Sequence, residues 1–315
     1  MKNYFAPIFS LILTACVENS PVKDENVFVN KCDTSAFRAR YSAAVQKAIE
    51  IPICIHTVYP DEVTRASLEV EGTQEVESTD EAYTRIYVEY FNTFMAAVYH
   101  PLTGEQIRLD TKIWVYEFAP RDIIVDAEWG NVNAYSDSDP AGLTVRHDLA
   151  VSNNTEGCEN LYIIKNDVLS PDKLFGYATF PDNAPQDNYI LLWDTDEGDT
   201  DSSKIAHEFG HVLDLSHTDA TGGDHVDDTP YDPGEDYCDI EADPNTGEVF
   251  GTCDAPYEEY GPDLPLDNIM ASYARRYVFT VQQIERMHCT WNLYEDNIFP
   301  HYYYGNSFVN YKFQK

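Results

Sequence analysis

Apolar positions along the chain follow two rhythms. Short runs rich in Val, Ile, Tyr and Phe at 51–58, 112–118, 161–165, 176–180 and 189–193 predict β-strands. Other stretches repeat every three to four residues. Ser78 with Glu81 forms a capping box that opens a helix through about 99, its stripe made of Tyr83, Ile86, Tyr87, Tyr90, Phe91, Phe94 and Val98. Ser202 and Ser203 can cap a second helix with Ile205, Ala206, Phe209, Val212 and Leu213 as its apolar side. Thr280 with Gln283 is another capping box, opening a helix through about 291. Strands with interleaved helices predict an α/β fold, with a twisted, mixed but mostly parallel sheet backed by helices. A short helix is also predicted over 37–49. Over 218–266 the periodicity disappears and Gly, Pro, Asp and Glu dominate, which predicts a long irregular segment that is functional or stapled. The aromatic tail, with Tyr302, Tyr303, Tyr304, Phe308, Tyr311 and Phe313, is expected to lie over the domain.

Composition narrows the class. The chain has 315 residues, 43% hydrophobic and 13% aromatic, enough for one large or two small cored domains. Its net charge of -35, from 20 basic and 55 acidic residues, excludes nucleic acid as a partner because no basic footprint exists. The charge reads as a solvated exported surface, with Ca²⁺ binding by clustered carboxylates as the sharper reading. At the start, Lys2 precedes an apolar run over 5–13 that is too short to span a bilayer and suits a signal-peptide core. The run ends in Leu13-Thr14-Ala15-Cys16, which resembles the lipobox of bacterial lipoproteins. That resemblance implies a signal over 1–15, lipid on Cys16, and export to the bacterial cell envelope or surface. Membrane contact would come only through that anchor. The other cysteines are Cys32, Cys54, Cys158, Cys238, Cys253 and Cys289, which in an exported chain can pair in fifteen ways. Cys238 with Cys253 encloses a short loop in a region without apolar core and is the expected staple, with Cys158–Cys289 as a second pair.

The chemistry sits in His207-Glu208-Phe209-Gly210-His211-Val212-Leu213-Asp214-Leu215-Ser216-His217. Histidines four apart share a helical face and can share a metal ion, and Glu208 lies beside them without being a ligand. His217 is six residues beyond His211, so the chain must turn near Asp214 to bring it back. Three neutral imidazoles leave tetrahedral Zn²⁺ one open position, which is the arrangement of a catalytic site. Asp224, Asp227 and Asp228 are the candidate Ca²⁺ ligands, with a hydrogen-bonded turn as the plainer reading.

This segment resembles the metzincin zinc signature, and residues 50–295 are similar to the pappalysin family of that clan. Met270 within Asp267-Asn268-Ile269-Met270-Ala271-Ser272-Tyr273 resembles the Met-turn. Phe279, Thr280, Gln283, Arg286 and Met287 match the helix that follows in pappalysins, and Gly223–Pro230 matches the stretch after the third ligand. The resemblance implies a zinc endopeptidase acting on proteins or peptides, with ligands His207, His211 and His217 and general base Glu208. It divides the chain into a leader or propeptide over 16–50, a catalytic domain over 51–295 with subdomains 51–217 and 218–295, and a tail over 296–315. An extended substrate would add to the rim strand near 176–180. Cys32-Asp33-Thr34 resembles a segment with which pappalysin precursors block their zinc, so Cys32 is either a switch ligand or half of a disulfide, for instance with Cys54. Three features depart from the pattern: Asp214 stands where the turn usually has Gly, Tyr273 comes one residue later than the usual oxyanion tyrosine, and Ala274-Arg275-Arg276-Tyr277, shortly after the Met-turn, holds no cysteine. Arg275 and Arg276 stand where some relatives carry an acid; either they line a pocket that disfavours Arg and Lys after the cut bond, or they point to solvent or pair with acids such as Asp263 or Glu285. Two rival readings differ in class. A catalytically silent zinc-binding module capturing a protein partner would lose Glu208 or a ligand. An enzyme of the other large HExxH class would take Glu235 or Glu241 as third ligand. Oligomeric state is not legible in the sequence.

Overall fold

The structure, a computed structural model, describes residues 32, 48–70, 88–89, 91–99, 101–118, 122–130, 140–165, 176–180, 188–194, 202–220, 223–234, 237–242, 249–254, 258, 264–272 and 278–298. Its centre is a sheet built on β1 (Ile49–Tyr59), β4 (Ile113–Glu117), β5 (Asp122–Val125), β6 (Glu159–Lys165), β7 (Gly176–Ala178) and β8 (Tyr189–Asp194), in the order β4-β1-β6-β8-β7, with β5 also on β1. The pairings are parallel except that β7 runs antiparallel to β8 at one edge. A mostly parallel α/β sheet is therefore observed, as the alternation of elements predicts.

The apolar runs are continuous because both sheet faces are covered. Leu161 and Ile163 of β6 join Ile51, Ile53 and Ile55 of β1 and Ile190 and Leu192 of β8 in one core. That core includes Ile205, Ala206, Phe209 and Val212 of helix α4 (Ser202–Val212) and Ile284, Met287 and Trp291 of helix α5 (Val281–Ile298). A helical segment at 91–95 packs on the same side, with the Phe91 and Phe209 rings 4.5 Å apart. The intervening residues Tyr162, Ile164, Tyr189 and Leu191 turn to the other face and pack with Trp129 of α2 (Ala127–Gly130) and Ala150 of α3 (Pro140–Asn153). A first helix, α1 (Glu62–Val70), begins where Asp61 Oδ1 accepts from the amides of Val63 and Thr64, an N-cap.

Several expectations change. The stripe expected to be helical through 99 ends earlier: Val98–Tyr99 is β2, paired with β3 (Gln106–Arg108). Pro101 follows directly after His100 and disfavours α conformation before it. The acidic segment over 218–266 is not wholly irregular, since β9 (Cys238–Ala242) and β10 (Val249–Cys253) form an antiparallel hairpin closed by Cys238–Cys253. Four more cysteines pair as Cys54–Cys158 and Cys32–Cys289 instead of joining Cys158 to Cys289 or Cys32 to Cys54. Register explains the first pair, because Cys54 lies opposite Asn160 and Cys158 enters β6 just before it. Among the described residues no helix is long and apolar enough to cross a membrane.

Glu159 opens β6 fully buried, its Oε1 without a hydrogen-bond partner, and desolvation pushes its carboxyl from 4.5 up to about 8. The folded value lies above the unfolded one, so this group's contribution is complete below about pH 4.5 and is lost as pH rises through about 8. Glu159→Gln should therefore gain up to about 4–5 kcal/mol over the wild type above pH 8 and almost nothing near pH 4. Denaturant titrations at both pH values check this, and equal stabilities at high pH would contradict it.

Candidate metal centre

Helix α4 presents the first two histidines because its own apolar side is buried against the sheet. His207 and His211 lie one turn apart, with imidazole centroids 4.7 Å from each other. The helix then ends in a Schellman motif: Leu215 N donates to Gly210 O at 2.9 Å and Asp214 N to His211 O at 2.9 Å. Asp214 occupies the left-handed position at φ 71°, so the expected reversal falls on the residue named for it. The reversed chain delivers His217, and its successor is held by Thr218 N donating to Met270 O at 3.1 Å.

The three Nε2 atoms converge, with His207–His217 and His211–His217 separated by 3.1 Å and His207–His211 by 3.2 Å. His207 Nδ1 donates to Ile269 O at 2.6 Å and His211 Nδ1 to Leu215 O at 2.8 Å. With the protons on Nδ1, these Nε2 lone pairs point at one another, which is unfavourable unless a cation lies between them. Zinc fits, because nitrogens about 2.0–2.1 Å from a tetrahedral ion lie roughly 3.3 Å apart. All three histidines are buried, and they form the one cluster of potential metal ligands among the described residues.

Glu208 is also buried and lies against the edge strand. A Cβ on Gly176 of β7 would overlap the Glu208 carboxylate, with Cδ only 2.7 Å away. Only glycine admits the carboxylate so close to that backbone. Met270 is fully buried and packs on Gly210, where an added Cβ would meet its Sδ and lie 3.1 Å from its Cε. The Phe180 ring lies 5.0 Å from that of His211. Sequence reasoning did not single out Gly176 or Gly210 for these roles; a glycine between the aromatic residues Phe175 and Tyr177 and another between two of the histidines were the available signals.

The remaining candidates divide. The calcium expected at Asp224, Asp227 and Asp228 is not supported, because these residues bind the start of α5. Asp224 Oδ2 accepts from Thr229 Oγ1 at 2.8 Å and Gln283 Nε2 at 2.6 Å. Asp228 accepts from Thr280 Oγ1 at 2.6 Å and Gln282 N at 3.0 Å, and Asp227 N donates to Gln282 Oε1. Burial holds the Asp224 carboxyl above its ordinary value, so its charge depends on those donors. The capping box at Thr280 is formed in both directions, with Gln283 N donating to Thr280 Oγ1 and Thr280 N to Gln283 Oε1. Gln283 also bonds Asn268, whose Oδ1 accepts from Met270 N, so one buried network ties the cap to the turn that carries Met270. The Cys32 switch is corrected: its sulfur is bonded to Cys289 on α5 and has no thiolate to offer a metal. Cys16, Glu235, Tyr273, Arg275 and Arg276 lie outside the described residues.

Comparison with known proteins agrees in kind. Residues 154–292 match the peptidase-family model described as "Pregnancy-associated plasma protein-A". No curated protein matches the chain. A solved structure described as "Structure of a chaperone-substrate complex" is similar at 14% identity and a TM-score of 0.39, over 79% of this chain and 36% of that one.

Proposed function

We propose that the chain, whose residues 154–292 match the model of the pappalysin family of metallopeptidases, is a zinc-dependent endopeptidase. The observation that carries this reading is the convergence of three buried Nε2 atoms beside a buried glutamate. His207, His211 and His217 hold the ion. Bound zinc supplies Lewis acidity to the scissile carbonyl and lowers the pKa of a water towards about 7.

The chain's own residues do the rest. Glu208 orients the attacking water, takes its proton on the carboxylate and returns that proton to the departing amine. Burial and the close packing on Gly176 keep the carboxylate in one place, which such a transfer requires. The carbonyls of Ile269 and Leu215 hold His207 and His211 in orientation, and Met270 packs on Gly210 between them. Strand β7 is last in the sheet order and antiparallel to β8. An extended peptide adds there as a further strand, gaining affinity from main-chain bonds with little demand on sequence. Residues 1–15 act as the export signal and Cys16 carries lipid, so the peptidase works at the cell envelope or surface. Protein and peptide chains are its substrates. The test is to incubate the protein with an unfolded protein and map new termini by mass spectrometry. Internal cuts are expected, and trimming from the ends alone would contradict the reading.

A further inference from the structure

The residue that reverses the chain after α4 is an aspartate in a conformation that favours glycine. Its surroundings supply a reason. Arg286 of α5 is 1% exposed and grips Asp214 twice: Nη2 donates to Oδ2 at 2.8 Å and Nε donates to the backbone O at 2.6 Å. One rigid guanidinium therefore fixes both the main chain and the side chain of a single residue. We propose that the Asp214–Arg286 pair is a positioning device that holds the zinc ligands in place by bolting the exit of α4 onto α5, a proposal that rests on the zinc reading above.

The connection is short. Asp214 is the left-handed residue of the Schellman motif, and the next residue, Leu215, accepts the Nδ1 proton of His211 at 2.8 Å. Two residues further stands His217. A shift at Asp214 thus moves one ligand directly and removes the partner that orients another. Through Asp214, Arg286 acts on this turn. The same helix carries Gln283, which ties the start of α5 to the turn bearing Met270, and Met270 O holds Thr218. Both walls of the ligand triangle are in this way referred to α5.

Two effects of opposite sign make the proposal decisive. Judged by backbone conformation alone, Asp214→Gly relieves a strained left-handed residue and should stabilise the protein. If the ion pair matters, the same change takes an anionic partner away from a buried guanidinium, which is the larger effect and destabilising. The test uses the wild type, Asp214→Gly, Arg286→Met and the double variant Asp214→Gly/Arg286→Met as full-length chains. Melting temperatures are read on metal-free protein, and zinc affinity is read by competition with a chromophoric chelator. Asp214→Gly should melt below the wild type, and both single variants should bind zinc about 10–100-fold more weakly. The double variant, with glycine in its preferred conformation and an apolar side chain in place of the cation, should recover much of both losses. If Arg286→Met does not fold, Asp214→Gly and the double variant still decide the matter. An Asp214→Gly protein as stable as the wild type would overturn the proposal, as would a double variant no better than Asp214→Gly. Unchanged zinc affinity in the single variants would do the same. Failure of the wild type itself to bind zinc would instead sink the proposed function, and the order of the metal-free melting temperatures would then still decide whether the pair holds the turn.

Discussion

Glu208→Ala should keep its zinc and lose peptidase activity by about 10²–10⁴-fold, the range for removal of a positioned general acid and base. The metal is expected to stay because its donors are the three converging imidazoles, two of them oriented by backbone carbonyls, and Glu208 is not among them. Gly176→Ala should give a weaker form of the same result. The new methyl group overlaps the carboxylate, so the carboxylate must move while the histidines stay. Because proton transfer depends on distances of a few tenths of an ångström, kcat should fall more than KM rises. Zinc content and steady-state cleavage of a peptide, measured on both variants, check this. A Glu208→Ala enzyme near wild-type rate would remove the assigned base, and a zinc-free one would show that the glutamate holds metal.

Replacing both Cys32 and Cys289 by alanine should cost stability without releasing activity. The disulfide closes a loop across a sequence separation of 257, and the chain-entropy treatment puts its ceiling at about 5–6 kcal/mol. Both cysteines are buried, so replacing the pair avoids leaving one buried thiol behind. If Cys32 instead capped the zinc in a latent form, the same variant would gain activity with little change in melting temperature. Differential scanning calorimetry and a cleavage assay on one preparation separate the two. A cut within the segment between residue 32 and β1 would leave both pieces joined through α5.

The sequence carried the catalytic half of this picture and left out much of its support. Strands β1, β6 and β8 were legible because each is buried on both faces and so carries a mainly apolar run rich in Ile, Leu and aromatic residues. The start of α5 was legible because Thr280 and Gln283 form a complete capping box, although the helix runs on to Ile298. Helix α3 left no such mark: Pro140, Gly142, Thr144 and Val145 are poor helix formers, and among its residues 147–153 the one buried completely is the small Ala150. The β9–β10 hairpin hid inside an acidic segment because the Cys238–Cys253 bond closes it where apolar sequence is scarce. At the site, the spacing of the histidines foretold their convergence, and the need to return His217 foretold the turn at Asp214. What held that turn could not be read, since Arg286 lies 72 residues away and nothing local connects them. The calcium expectation failed for a related reason. Acidic residues close in sequence suggest a cation, but Asp224 and Asp228 are spent on the hydrogen-bond donors of a helix start 52 to 59 residues downstream.

The central claim is that three histidines hold one catalytic zinc, and metal reconstitution tests it most directly. Cleavage of an unfolded protein should vanish when the metal is stripped with a chelator and return as Zn²⁺ is restored, saturating at about one equivalent per chain. The same titration on His217→Ala should restore nothing. Full cleavage by metal-free protein, or equal recovery in His217→Ala, would contradict the account.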